Sequence, residues 1–203
     1  MKLMKTEHIG VSVLMFLTLC PAAFPSPASS GQGLARDRGK GFAIALEAGL
    51  MRPADARFRE IYGGGAFAPE VRISKGLGGG TSAWLAVSGF KRSGTVPVLE
   101  ERTEARQTFL SLGAAYEKPV LGGLSGRVDA GLALVAYREE ALGIEAKGTR
   151  AGFRLGAGLS YPIVGKLSAS ASAGYIFSSG TRDGVSVRFG GLKAGLGLAY
   201  RFD

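Results

Sequence analysis

Apolar residues recur at every second position along most of this chain, and the strictest run is the last. In segment 190–203 (GGLKAGLGLAYRFD), Leu192, Ala194, Leu196, Leu198, Tyr200 and Phe202 share one parity. Lys193, Gly195, Gly197, Ala199 and Arg201 share the other. A two-residue period puts alternate side chains on opposite faces of a β-strand, here one apolar and one small or charged. At roughly 3.3 Å per residue the run is long for a water-soluble strand, and it suits a tilted crossing of a hydrocarbon layer of about 30 Å.

The same alternation predicts strands over 41–51, 66–75, 82–91, 107–117, 126–137, 149–161 and 166–177, with the last strand covering 185–203. Pro69 interrupts the second, because proline has no N–H to give a ladder. In the third, Trp84 and Phe90 fall on the small-residue face unless a bulge reverses them. In the last, Val185, Val187 and Phe189 have the opposite parity to Leu192, which predicts a register-shifting bulge at Gly190-Gly191. The connections 52–65, 92–106 and 138–148 are long and charged, whereas GLGGGT, KPVLGGLS and PIVG are short turns. Long connections at one end and tight turns at the other mark an all-β fold, an eight-stranded antiparallel up-and-down transmembrane β-barrel. An internal repeat supports this layout: 112–132 aligns without gaps on 155–175, with nine of 21 residues identical and the turn residues Pro119/Pro162 and Gly122/Gly165 matched.

The non-apolar face is mostly Gly, Ala and Ser, punctuated by Glu47, Glu70, Arg72, Arg127, Asp129, Arg154 and Lys193. A wetted outer surface carries many long charged side chains, whereas a narrow eight-strand interior holds few and needs glycine where backbones crowd. The small face is therefore assigned to the lumen, and the seven charges to a mutually neutralising interior network that fills it. Aromatics gather at both strand ends. Phe42, Tyr116, Tyr161, Tyr200 and Phe202 lie at the end carrying the tight turns, and Phe67, Phe109, Phe153, Tyr175, Phe177 and Phe189 at the other. They predict two belts at two lipid–water boundaries.

The first residues add a destination. Lys2 and Lys5 precede a twelve-residue apolar stretch, 9–20, and small residues follow, so 1–28 reads as a secretory signal peptide. Cleavage after Ala28 is the expectation, with Ala22 and Ala23 as other sites. Segment 29–40 is a polar leader in the periplasm, and 41–203 is the barrel. Cys20 and His8, the only cysteine and histidine, fall in the signal segment. A processed chain would have no disulfide, no thiol or imidazole metal ligand and no histidine base, so no cofactor, no metal site and no enzymatic activity are expected. Losing Lys2, Lys5 and Glu7 would leave 23 basic and 15 acidic residues. No basic cluster is interleaved with aromatics, so nucleic acid is not an expected partner, and the surplus points to anionic lipid headgroups.

Signal peptide, eight alternating strands, alternating connection lengths and an aromatic-ended last strand (AYRFD) together resemble the small bacterial outer-membrane β-barrel family, of the OmpA-barrel, OmpX and opacity-like kind. The resemblance covers 41–203. It implies an outer-membrane location and a structural or surface-interaction role mediated by the loops. It also implies outer-membrane lipid and lipopolysaccharide as partners, and recognition of the C-terminal strand by the outer-membrane assembly machinery, although Asp203 follows the aromatic that usually ends such chains. Arg52, Arg92 and Arg102 are the candidate rim arginines for lipopolysaccharide phosphates. Barrel enzymes that modify lipid A resemble one another in using histidine with serine and a carboxylate; Ser168, Ser170 and Ser172 have no such base and read as small interior residues. The alternative is a soluble periplasmic lipocalin-like carrier with the apolar face turned inward.

Overall fold

The computed structural model describes residues 41–96, 101–141, 143–182 and 185–202. The signal segment, the leader and Asp203 lie outside the described residues. The elements are β1 (Phe42–Pro53), α1 (Ala56–Tyr62), β2 (Ala66–Phe67), β3 (Glu70–Gly78), β4 (Thr81–Val96), β5 (Glu101–Leu121), β6 (Leu124–Ala141), β7 (Ile144–Val164), β8 (Leu167–Arg182) and β9 (Val185–Phe202). Apart from β2, each strand pairs antiparallel with the next, and β9 closes the ring on β1 through twelve opposed pairs, from Phe42↔Phe202 to Pro53↔Gly191. The result is an eight-stranded up-and-down barrel. Closure leaves no sheet edge along the wall, so each strand of the ring has a neighbour on both sides.

β2 and β3 together are the second predicted strand, split at Ala68-Pro69. The register is the same on both sides of the gap, with Leu50 opposite Phe67 and Glu47 opposite Glu70. Pro69 removes one ladder donor without shifting the pairing. Strand three also needs no bulge: Trp84 and Phe90 are buried in the lumen while Leu85 and Val87 face out.

Three tight turns at the end where β1 begins and β9 stops share one construction. Each has two loop residues preceded by a one-residue register shift, at Gly76/Gly78, Pro119/Leu121 and Pro162/Val164. The last two shifts lie 43 residues apart, so the internal repeat encodes one bulged turn used twice. Gly122 and Gly123 take φ of 55° and 86°, the left-handed pair that matches the twist of a two-residue hairpin.

The opposite end departs from expectation. The long connections 92–106 and 138–148 are mostly strand: β4 and β5 pair as far as Val96↔Glu101, and β6 and β7 as far as Ala141↔Ile144. The hairpins continue past the apolar belt as strands whose outward face is charged and whose inward face carries small or polar residues such as Thr103 and Ala105, buried in the structure, so hydrophobic alternation gives no signal. Within 52–65, β1 runs on to Pro53 and the chain then turns into α1. Asp55 caps this helix, its Oδ1 accepting from Phe58 N at 3.0 Å and its Oδ2 from Arg188 N at 3.1 Å. Arg59 donates to the Pro53 and Ala54 carbonyls. Asp55→Ala is expected to loosen the helix by about 1 kcal/mol, seen as faster amide exchange across 56–62 with the barrel amides unchanged.

The Gly190-Gly191 bulge does not exist. β8 and β9 keep one register from Arg182↔Val185 to Leu167↔Tyr200. Both glycines adopt positive φ, 90° and 142°, and a side chain at either would overlap a neighbouring carbonyl oxygen, that of Ile176 or Arg52. The parity of Val187 and Phe189 therefore means that they face the lumen.

Candidate functional site

The lumen has two tiers. Toward the loop end, Met51, Ala66, Ala68, Phe90, Phe109, Ala133, Val135, Ile176 and Phe189 form a continuous apolar cluster. This corrects the outer aromatic belt: Phe109 and Phe189 are buried inside, because on β5 and β9 they have lumenal parity. Phe67, Phe153 and Phe177 are exposed on the outside and Tyr175 is half-buried, its ring 4.3 Å from that of Phe177. At the turn end Phe42, Tyr116, Tyr161, Tyr200 and Phe202 are all exposed.

Below the apolar tier the structure brings the seven lumenal charges together. Glu70 is the hub. Its carboxylate accepts from Arg154 Nη1 and Nη2 at 2.8 and 3.0 Å, from Lys193 Nζ at 2.7 Å and from Arg72 at 3.3 Å. Arg72 Nη1 also reaches Asp129 Oδ2 at 3.3 Å, and Arg127 Nε lies 3.5 Å from the same oxygen. Glu47 sits directly across from Glu70, accepts from Ser172 Oγ at 2.7 Å and lies 3.9 Å from Arg127. Arg127, the most exposed of the seven, stands opposite Glu117 on β5. The alternation put Trp84 on the small-residue face without giving it a partner; Arg72 and Arg154 lie over its ring at 4.8 and 5.2 Å. The indole face supplies the negative side of two cation–π contacts in a place with little water.

Glycine makes the room. Directly opposite Trp84, Glu47, Asp129 and Arg127 stand Gly113, Gly197, Gly156 and Gly158 on the adjacent strands. A Cβ at Gly156 would come within 2.8 Å of Asp129 Oδ1, and one at Gly197 within 2.7 Å of Glu47 Cγ. These four glycines are therefore the complement of the large lumenal side chains.

At the loop end, Tyr62 of α1 donates to Glu139 Oε1, and Thr103 Oγ1 lies 2.8 Å from the same hydroxyl. Burial pushes the Tyr62 hydroxyl well above the usual tyrosine range, so it stays a neutral donor. Of the three rim arginines, Arg52 and Arg102 are exposed, but Arg92 is turned inward and its Nη2 donates to the Gly65 carbonyl.

The outside of the barrel carries a feature that sequence reading missed. Lys91, Arg106, Arg138 and Lys147 are opposed in one cross-strand row over β4, β5, β6 and β7, all facing out. Two steps below them toward the turn end lies an aliphatic row, Val87, Leu110, Leu134 and Ala151. One step above them lie Glu104, Glu140 and Glu145. Lys91 pairs with Glu104 at 2.8 Å, and Glu145 takes Arg138 at 2.7 Å and Lys147 at 3.2 Å. The hydrogen bond from Lys147, helped by Arg138, holds the Glu145 carboxyl below the usual range. Arg106 has no ion pair among the described residues. A groove of about 380 Å³ runs along Arg106, Thr108, Arg138, Lys147 and Thr149. Only the strand register reveals the row, since the four residues are scattered over 57 positions of sequence.

No protein-family model matches the chain, and no curated protein matches it. Solved structures do. Neisserial surface protein A is similar with a TM-score of 0.64 at 14% identity, over 79% of this chain and 97% of that one. The outer membrane protein OprG from Pseudomonas aeruginosa gives 0.63 at 10% identity, over 81% and 96%. Ail, the attachment invasion locus protein of Yersinia pestis, in complex with the heparin analogue sucrose octasulfate, gives 0.53 at 15% identity, over 80% and 99%. The fold of this chain is that of the small bacterial outer-membrane β-barrels.

Proposed function

We propose that this chain is an integral protein of the bacterial outer membrane, delivered by a signal peptide at 1–28, and that it acts without enzymatic chemistry by binding at its loop-end surface. The observation that carries this reading is the outward face. Leu46, Leu50, Val71, Leu132, Leu155, Leu196 and Leu198 are among many large apolar side chains exposed on it, between exposed aromatics at both ends. Water would penalise that surface by about 25 cal/mol per Å², and a hydrocarbon layer removes the penalty. The same face argues against a soluble carrier, whose apolar side would line the lumen. The side-chain-filled lumen supports a structural barrel over a channel. Tyr200 and Phe202, at the end of β9, are the recognition element for assembly into the membrane.

The lipid partner is phosphorylated. Four cations directly opposed across neighbouring strands repel one another, and three carboxylates offset only part of that charge. An anion at the headgroup level completes it, while acyl chains lie along the aliphatic row below. Ail, solved with a sulfated sugar, is a barrel of this fold that takes a polyanion. Extraction of membranes with mild detergent followed by native mass spectrometry tests the reading. The barrel should come from the outer-membrane fraction carrying bis-phosphorylated lipid A, and Arg106→Glu/Arg138→Glu should lower that adduct at least tenfold relative to dephosphorylated lipid A. Recovery from the soluble periplasm, or equal retention of both lipids by the double variant, would sink it.

A further inference from the structure

The space under α1 belongs neither to the charge network nor to the lipid-facing surface. The helix lies at the loop end of the lumen, anchored by the Asp55 cap, by Arg59 on two carbonyls and by Tyr62 on Glu139. Beneath it is a cavity of about 160 Å³ walled mainly by Phe58, Ile61, Gln107, Tyr137, Val187 and Phe189, with charged residues such as Arg57, Glu139 and Arg188 at its margin. Its aromatic walls are organised: Tyr137 and Phe189 stack at 4.5 Å and 21°, and Phe58 meets Phe90 edge-on at 6.0 Å. The apolar lumenal cluster forms the floor and the charge network lies beyond it, so the space is a dead end rather than part of a route through the barrel.

We propose that this chamber is a binding site for a small neutral aromatic molecule that carries one O–H or N–H donor. Size comes first: an apolar protein cavity of about 150 Å³ stays dry and accepts benzene. Wall chemistry comes second, since four lining rings, those of Phe58, Tyr62, Tyr137 and Phe189, offer edges and faces to a single guest ring at the usual 4.5–7 Å spacings. The donor follows from Gln107. This side chain is 5% exposed, and its Oε1 has no hydrogen-bond partner among the described residues. A buried acceptor left unpaired is costly. The terminal torsion of glutamine is soft, so a modest rotation presents that oxygen to a guest hydroxyl. This inference does not depend on the lipid reading, because the lumenal chamber and the lipid-facing row lie on opposite sides of the wall.

The test uses the whole folded barrel in nanodiscs, with phenol and benzene as probes and amide chemical shifts as the readout. Saturable shifts confined to 105–107, 137–139 and 186–189 are expected with both probes. Gln107→Leu should weaken phenol about fivefold while leaving benzene unchanged, as loss of one hydrogen bond predicts. Val187→Phe, which fills the chamber from β9, and Ile61→Trp, which fills it from α1, should abolish saturation while the remaining barrel resonances stay in place. Shifts that rise linearly with probe, as partition into lipid gives, would overturn the proposal. So would saturation unchanged in both filled variants, or an equal loss of phenol and benzene in Gln107→Leu.

Discussion

Glu70→Gln should be the most damaging charge change in the molecule, lowering stability to urea unfolding in micelles by about 3–5 kcal/mol, the range for breaking a buried ion pair. Glu70 accepts from Arg72, Arg154 and Lys193 at once. The amide keeps its shape and removes its charge, leaving three cations packed around a neutral group. Arg154→Met should cost less, since Glu70 then retains Lys193 and Arg72 and the flat indole of Trp84 can pack on the thioether. The double variant Glu70→Gln/Arg154→Met should recover part of the loss, because one of the orphaned cations is gone. Non-additivity of this kind is the signature of one network. A Glu70→Gln barrel within about 1 kcal/mol of the parent would mean that water in the lumen, rather than the hub carboxylate, screens the cations.

How much of this was legible beforehand depends on which interactions are local. Outward and inward parity is a local property, and it placed Leu192, Leu196, Leu198, Tyr200 and Phe202 on the outer apolar face and Lys193 in the lumen from the alternation alone. Partner choice is not local. That Glu70 meets residues 72, 154 and 193 follows from strand register and barrel closure, neither of which the alternation pattern contains. The outer aromatic belt went wrong at Phe109 and Phe189 because nearness to a strand end was weighed above parity. The supposed bulge at Gly190-Gly191 came from assuming that apolar residues must face lipid, while the upper lumen is itself apolar and takes Val187 and Phe189. Strand length failed for a different reason. Beyond the apolar belt the outward faces of the β5–β6 and β6–β7 hairpins are charged and the inward ones carry only small or polar residues such as Thr103, Ala105 and Glu139, so ERTEAR and REEA read as loops although the ladder continues through them. Within the loop before β2, the Asp55 cap and the i, i+3, i+4 set Phe58, Ile61 and Tyr62 were readable signals for α1, but a single apolar turn among charged residues was too short to stand out from a loop.

Gly113→Ala tests the other half of the lumenal design, the glycines that face its large side chains. Gly113 lies across from Trp84 on one side and Gly131 on the other. A Cβ there would stand 2.8 Å from Trp84 Cζ2 and 2.6 Å from Gly131 Cα, and would overlap the Ala130 carbonyl oxygen. Two of these obstacles are backbone in the middle of a closed ladder, so the strands themselves must part. Overpacking a tight interior by one methyl costs about 1–3 kcal/mol when side chains alone move, and backbone displacement across β5–β6 raises it further. The expected result is loss of the compact, heat-modifiable band on unheated gels and failure to reach the outer membrane. Trp84→Leu should not rescue it, because shortening the indole leaves the Ala130 carbonyl where it was. Gly156→Ala is the informative contrast, since the three nearest atoms there all belong to the Asp129 carboxylate. That variant should fold, with Asp129 pushed off Arg72 and a smaller loss of stability. Gly64→Ala, which meets nothing within 4 Å, should behave as the parent. If Gly113→Ala assembled as well as Gly64→Ala, the close approach of β5 and β6 beneath the indole would not be what the glycine is there to permit.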